Sequence, residues 1–157
     1  MRITIVGIGY QGLVVGACLA ENGHQVVCVD RDSDRIAALA QGQLPIHEPG
    51  LEELVVRNLE EERLHFTTEL GPAVSDSLLI MLCTGTPIGP GGKVDISELL
   101  DAAHQVAAAM TGYRIVVNKS TCPMGTAEEI EAILRGGTEH AFDVVVSDLK
   151  MSGMDGM

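Results

Sequence analysis

A doubly wound parallel α/β sheet with helices on both faces is the fold class predicted by three features of this 157-residue sequence. Short apolar runs rich in Val, Ile and Leu alternate with amphipathic stretches from end to end, as expected of strands covered on both sides by crossover helices. The first run leads straight into a glycine cluster, Gly7-Ile8-Gly9-Tyr10-Gln11-Gly12. Finally, 46% of the residues are hydrophobic but only 3% are aromatic, so the core must be packed from Val, Ile, Leu, Ala and Met between sheet and helices. A chain of about this length buries roughly 70% of its unfolded surface as one domain, and a single core is expected.

The strands are placed at residues 2–6, 25–29, 64–67, 78–82, 114–118 and 142–147. The first helix starts near Gln11 and stops at Asn22-Gly23, where glycine takes the left-handed conformation that ends helices. A second helix follows Ser33 as its N-cap and runs through Ala40. Next comes an insertion, Gln43-Leu44-Pro45-Ile46-His47-Glu48-Pro49-Gly50, whose two prolines fix a local path, and then a helix from Leu51 to about Leu59. The segment Thr84-Gly85-Thr86-Pro87-Ile88-Gly89-Pro90-Gly91-Gly92 leaves the carboxyl end of the fourth strand, which is the edge where open α/β sheets bind ligands.

Several function classes are excluded by composition. A formal net charge of -12 opposes nucleic acid, because that binding draws on Lys and Arg neutralising phosphates. No apolar run approaches ~18 residues, and the start of the chain lacks a signal-peptide pattern. No membrane association and a cytoplasmic location are therefore expected. Cys18, Cys28, Cys83 and Cys122 are widely spaced, so reduced thiols are expected rather than a metal site or disulfide framework.

The chemistry is carried by the glycine cluster and one acid. Between a strand and a helix, Gly7 permits the tight turn, Gly9 lets a pyrophosphate approach the backbone, and Gly12 allows close helix-to-strand packing. The helix amino terminus, with Tyr10 and Gln11 in its first turn, offers N–H groups and a positive dipole end to a diphosphate. Small-residue turns also occur in βα units for packing alone, so the motif needs a second sign. Asp30 provides it: it closes the second strand eighteen residues past Gly12, where a carboxylate accepts hydrogen bonds from the adenosine ribose hydroxyls. A 2′-phosphate beside that carboxylate would meet repulsion of roughly 4 kcal/mol at short range. NAD is accordingly the expected cofactor. Arg31 could neutralise a 2′-phosphate and keeps NADP as an alternative, while Arg35 is the better candidate for the adenosine side.

These residues, together with Pro45-Ile46-His47-Glu48-Pro49-Gly50-Leu51, Gly85-Thr86-Pro87 and Lys119-Ser120-Thr121-Cys122-Pro123-Met124-Gly125-Thr126 in that order, resemble the amino-terminal Rossmann domain of the UDP-glucose/GDP-mannose dehydrogenase family. The resemblance runs from Met1 to about Ser147. It implies NAD contacts at Gln11, Asp30, Arg35, Thr86 and Thr121, with Thr121 near the nicotinamide. It also implies the family reaction: a nucleotide-sugar alcohol is oxidised to a uronate by two NAD through a thiohemiacetal and a thioester on a catalytic cysteine.

That cysteine and the family's catalytic lysine belong to middle and carboxyl-terminal domains not expected in this chain, so independent dehydrogenase activity is not expected and a nucleotide-sugar partner would require those domains. Cys122 stands where the family usually has an aliphatic residue. The family's Asn-Pro-Glu-Phe-Leu after the last strand is replaced by Asp148-Leu149-Lys150-Met151. Residues 142–157 are instead similar to the phosphoacceptor strand and loop of response-regulator receivers, which makes 148–157 a divergent tail with Asp148 as a speculative phosphoacceptor. The alternative to a dehydrogenase-derived cofactor domain is thus a non-catalytic NAD-sensing or signalling module. Self-association into a homo-oligomer is expected, because the surface that the family covers with its middle region would be apolar.

Overall fold

The computed structural model describes residues 1–89 and 91–137 fully and the backbone of 142–146. The expectations for Asp148, Lys150 and the tail lie outside the described residues. The elements follow in the order β1 (Arg2–Val6), α1 (Tyr10–Glu21), β2 (Gln25–Val29), α2 (Ser33–Ala40), α3 (Leu51–Glu60), β3 (Leu64–Thr67), α4 (Leu70–Asp76), β4 (Leu79–Leu82), α5 (Ser97–Ala109), β5 (Arg114–Asn118), α6 (Thr126–Gly137) and β6 (Phe142–Val146). All neighbours pair in parallel, giving one six-stranded sheet of order β3-β2-β1-β4-β5-β6. Strand order reverses beside β1, whose neighbours are β2 on one side and β4 on the other. This is the doubly wound arrangement expected, and it opens a crevice at the carboxyl ends of β1 and β4.

Burial explains why β1 is central. Ile3, Thr4, Ile5 and Val6 are all buried, as a strand covered on both faces requires. Ile3 and Ile5 join Leu13, Ala17, Val26, Val55 and Leu64 under α1 and α3. On the other face Val6, Ile80 and Leu82 pack with Leu99, Val106, Ile130 and Leu134 of α5 and α6. Thr4 is the polar exception in this strand. Its hydroxyl donates to the Ala73 carbonyl at 2.9 Å and lies 2.8 Å from Ser77 Oγ, so α4 is pinned to the sheet by a buried group whose bonding needs are met.

Helix ends follow local chemistry, with one correction. Asn22 caps α1 and Gly23 takes φ +85°, as expected. The N-cap of α2 is Asp32 rather than Ser33: the Asp32 carboxylate accepts from the N–H groups of Asp34 and Arg35 at 3.1 and 3.0 Å. Both residue types cap well, but the carboxylate one position earlier holds extended backbone and takes the bonds. The insertion leads into α3 through Gly50, at φ +82°. Among the described residues, no helix is long and apolar enough to cross a membrane.

Candidate cofactor site

The carboxyl end of β1 turns sharply at Gly7, where φ is +93° and the N–H donates to the Val29 carbonyl at 2.9 Å. A Cβ there would stand 2.8 Å from the backbone N and Cα of Thr84, so the loop lies directly against the end of β4. At Gly12 a Cβ would collide with the Gly7 carbonyl oxygen and approach Cys83 Cβ at 3.3 Å. Gly9 differs from both, since a Cβ there would meet nothing within 4 Å. Its surroundings are open at the place where a ligand must come close to the backbone.

Helix α1 begins at that opening with no side-chain cap and no acidic residue in its first turn. By contrast α2, α3, α5 and α6 carry Asp34, Glu52 and Glu53, Glu98, and Glu128 and Glu129 in theirs. Those carboxylates complement the positive dipole ends of their helices, whereas α1, like the short α4, carries none, and the α1 start is the one that opens beside Gly9. Gln11 is exposed in this first turn. Tyr10 turns the other way: its hydroxyl donates to Glu48 at 2.6 Å and ties the proline-bearing insertion to the start of α1. The bond to the Glu48 carboxylate raises the Tyr10 pKa above its ordinary value, with burial and the nearby charge adding to it.

Asp30 sits beyond the end of β2 with its side chain only 10% exposed. Oδ2 accepts the Ile8 N–H at 2.8 Å and a guanidinium N–H of Arg35 at 3.1 Å, while Oδ1 accepts the Asp32 N–H at 3.0 Å. The carboxylate therefore fastens the glycine loop to the β2–α2 turn. Arg35 is held between Asp30 and Asp32. Gly7, Gly9, Asp30 and Arg35 line one groove, together with Thr84 and Gly85 from the loop after β4.

The other half of the crevice comes from the loops after β4 and β5, which are sewn together. The Ser120 hydroxyl donates to the Thr84 carbonyl at 2.8 Å and lies 3.4 Å from the Thr84 hydroxyl. The Ser120 N–H donates to Asn118 Oδ1 at 3.0 Å, and the Asn118 amide donates to Cys122 Sγ at 3.3 Å. Thr86 and Thr121 are brought together as well, with the Thr86 hydroxyl donating to the Thr121 carbonyl at 2.6 Å.

The family model for the UDP-glucose/GDP-mannose dehydrogenase family, NAD binding domain, matches residues 1–149. The chain belongs to this family. It is 48% identical over 147 residues to UDP-glucose 6-dehydrogenase of Rhizobium meliloti (strain 1021), covering 93% of this chain and 33% of that protein. To UDP-glucose 6-dehydrogenase of Pseudomonas aeruginosa it is 47% identical over 137 residues, 87% of this chain and 30% of that protein. In structure it is similar to a ternary complex of GDP-mannose dehydrogenase from Pseudomonas aeruginosa, with a TM-score of 0.87 and 31% identity over 96% of this chain and 37% of that one. The chain thus spans about a third of the length of the curated relatives it matches.

As the NAD-binding domain of this dehydrogenase family, the chain has residues that fit the cofactor. The open backbone at Gly9, the acid-free start of α1 and the carboxylate closing β2 provide what a dinucleotide's diphosphate and ribose need. Sequence reasoning passed over Thr84, Asn118, the Arg31–Glu98 ion pair and the Tyr10–Glu48 bond. An Asn directly after the apolar run Ile115-Val116-Val117 was the one local sign for Asn118. The other three depend on partners more than thirty residues away.

The cysteines have other parts to play. Burial pushes the Cys28 thiol well above its usual range and that of Cys83 up to about 11, against the opposing pull of Lys119 on Cys83. Both therefore stay protonated near neutral pH and lack nucleophilic character. They pack under α1, where a Cβ at Gly16 would come within 2.6 Å of Cys28 Sγ. Among the described residues no group of His, Cys, Asp and Glu is arranged to hold a metal ion.

Proposed function

We propose that residues 1–147 form the cofactor-holding domain of a nucleotide-sugar 6-dehydrogenase, with 148–157 a divergent tail, and that the domain binds NAD but does not oxidise a sugar nucleotide unaided. The observation that carries this reading is the Asp30 carboxylate at the mouth of the glycine loop, 2.8 Å from the Ile8 N–H. In this reading Gly7, Gly9 and Gly12 shape the seat, and the first turn of α1 at Tyr10 and Gln11 faces the diphosphate. Asp30 and Arg35 hold the adenosine ribose, and Thr86 and Thr121 border the nicotinamide. When bound, NAD supplies the hydride acceptor for oxidation at the sugar C6. The chain spans about a third of its relatives' length, and its buried Cys28 and Cys83 are unsuited to nucleophilic attack, which supports assigning the catalytic cysteine and the nucleotide-sugar seat to other parts of a full-length dehydrogenase.

Calorimetric titration of NAD into the chain tests the binding half, with saturable one-to-one binding expected and no heat at millimolar NAD contradicting it. Mixing the same sample with UDP-glucose or GDP-mannose should give no NADH absorbance, and steady turnover would overturn the inactive-alone reading. The proposal includes a cytoplasmic location and a homo-oligomer. Exposed Ile88 and Val94, bridged to each other, and fully exposed Met124 support self-association. Sedimentation should show a species larger than 16.6 kDa, and a purely monomeric profile would count against it.

A further inference from the structure

An Arg near a ribose-reading acid can accommodate a 2′-phosphate, and the residue that follows the acid is one candidate for that part. Here that residue is Arg31, yet its side chain is committed elsewhere: Arg31 Nη2 lies 3.2 Å from Glu98 Oε1. Glu98 belongs to the first turn of α5, where a carboxylate is favoured by the helix dipole. Arg31 and Glu98 line both grooves that meet at Asp30, and Asp101 borders one of them from the next turn of α5. The cation at the phosphate-reading position is therefore drawn to the far wall of the crevice, and the wall itself is negative.

We propose that Glu98 is a specificity-determining residue for the cofactor: it excludes NADP by withholding Arg31 from the 2′-phosphate position, in addition to the repulsion that Asp30 exerts. This deepens, and rests on, the assignment of the dinucleotide to this crevice. Discrimination then has two separable parts. Asp30 acts directly on the 2′ substituent, and Glu98 acts through the cation it holds.

The test measures NAD and NADP dissociation constants by calorimetry in wild type, Glu98→Gln and the double variant Glu98→Gln with Arg31→Ala, reading weak NADP binding through displacement of NAD. Because the Arg31–Glu98 pair is largely exposed, its release should move the NADP-to-NAD preference by about two- to fivefold toward NADP in Glu98→Gln. The double variant should return to the wild-type ratio. A ratio within twofold of wild type in Glu98→Gln, or a gain that persists without Arg31, overturns the proposal. If NADP competition is undetectable beside the intact Asp30, the same comparison in an Asp30→Ser background decides by the same criteria. Failure of the wild-type chain to bind NAD would overturn the cofactor assignment itself, and this inference with it.

Discussion

Gly12→Ala should abolish NAD binding and lower the thermal midpoint by roughly 2–12 °C. The added methyl collides with the Gly7 carbonyl oxygen, which is backbone, and presses on Cys83 Cβ at 3.3 Å. Neither neighbour is the free end of a flexible side chain. Forcing a methyl into a packed site costs about 1–3 kcal/mol or more, and in a chain of this size each kcal/mol moves the midpoint by about 2–4 °C. The matched control is Gly9→Ala. Its φ is -77° and a Cβ there meets nothing within 4 Å, so its melting curve should overlay the wild type while NAD binding weakens. Circular dichroism melts paired with calorimetry separate the two effects, and a Gly12→Ala chain that melts and binds like wild type would contradict the packing account.

Asp30→Ala removes the acceptor for the Ile8 and Asp32 N–H groups and the partner of Arg35 in one step. A hydrogen bond to a charged group is worth about 1.5–3 kcal/mol, so NAD affinity should fall by about ten- to a hundredfold. Stability should fall too, because the carboxylate is largely buried and leaves donors behind. Asp30→Asn keeps an oxygen for the Ile8 N–H but not the charge. Because its amide nitrogen then faces the Asp32 N–H, it should recover only part of the melting temperature and little of the affinity. Unchanged NAD binding in Asp30→Ala would remove the ribose-reading role from this residue.

The sheet was legible in the sequence because each strand is a compact apolar run bounded by turn residues. Among the described residues, the expected and observed strands differ by one residue, at the start of β4. The α2 cap was displaced by one position because Asp32 and Ser33 are both good caps, and only the backbone path decides between them. The glycines were readable from their spacing between a strand and a helix, although the groups that crowd Gly7 and in part Gly12 belong to Cys83 and Thr84, more than seventy residues away. The bonds that shape the crevice were not readable. Tyr10 with Glu48, Ser120 with Thr84 and Arg31 with Glu98 join segments far apart in sequence. Each of these residues, seen alone, looks like an ordinary polar loop position, and its meaning depends on which loops the sheet order brings together.

The strand order also sets the sequence of events when the chain folds. β1, α1 and β2 are contiguous, so the diphosphate and ribose seat, with Asp30 already latched to the Ile8 N–H, is assembled from the first thirty-five residues. The opposite wall needs β4 to slot in beside β1, which closes a loop of more than seventy residues against a larger entropic cost, and β5 to add beside β4. During synthesis from the amino terminus, the residues of one half of the binding crevice emerge well before those of the other half. A dinucleotide that grips both halves thus stabilises only the finished sheet, by mass action. Such a ligand would act as a late clamp, holding closed the seam between β1 and β4 that is joined across the longest stretch of chain.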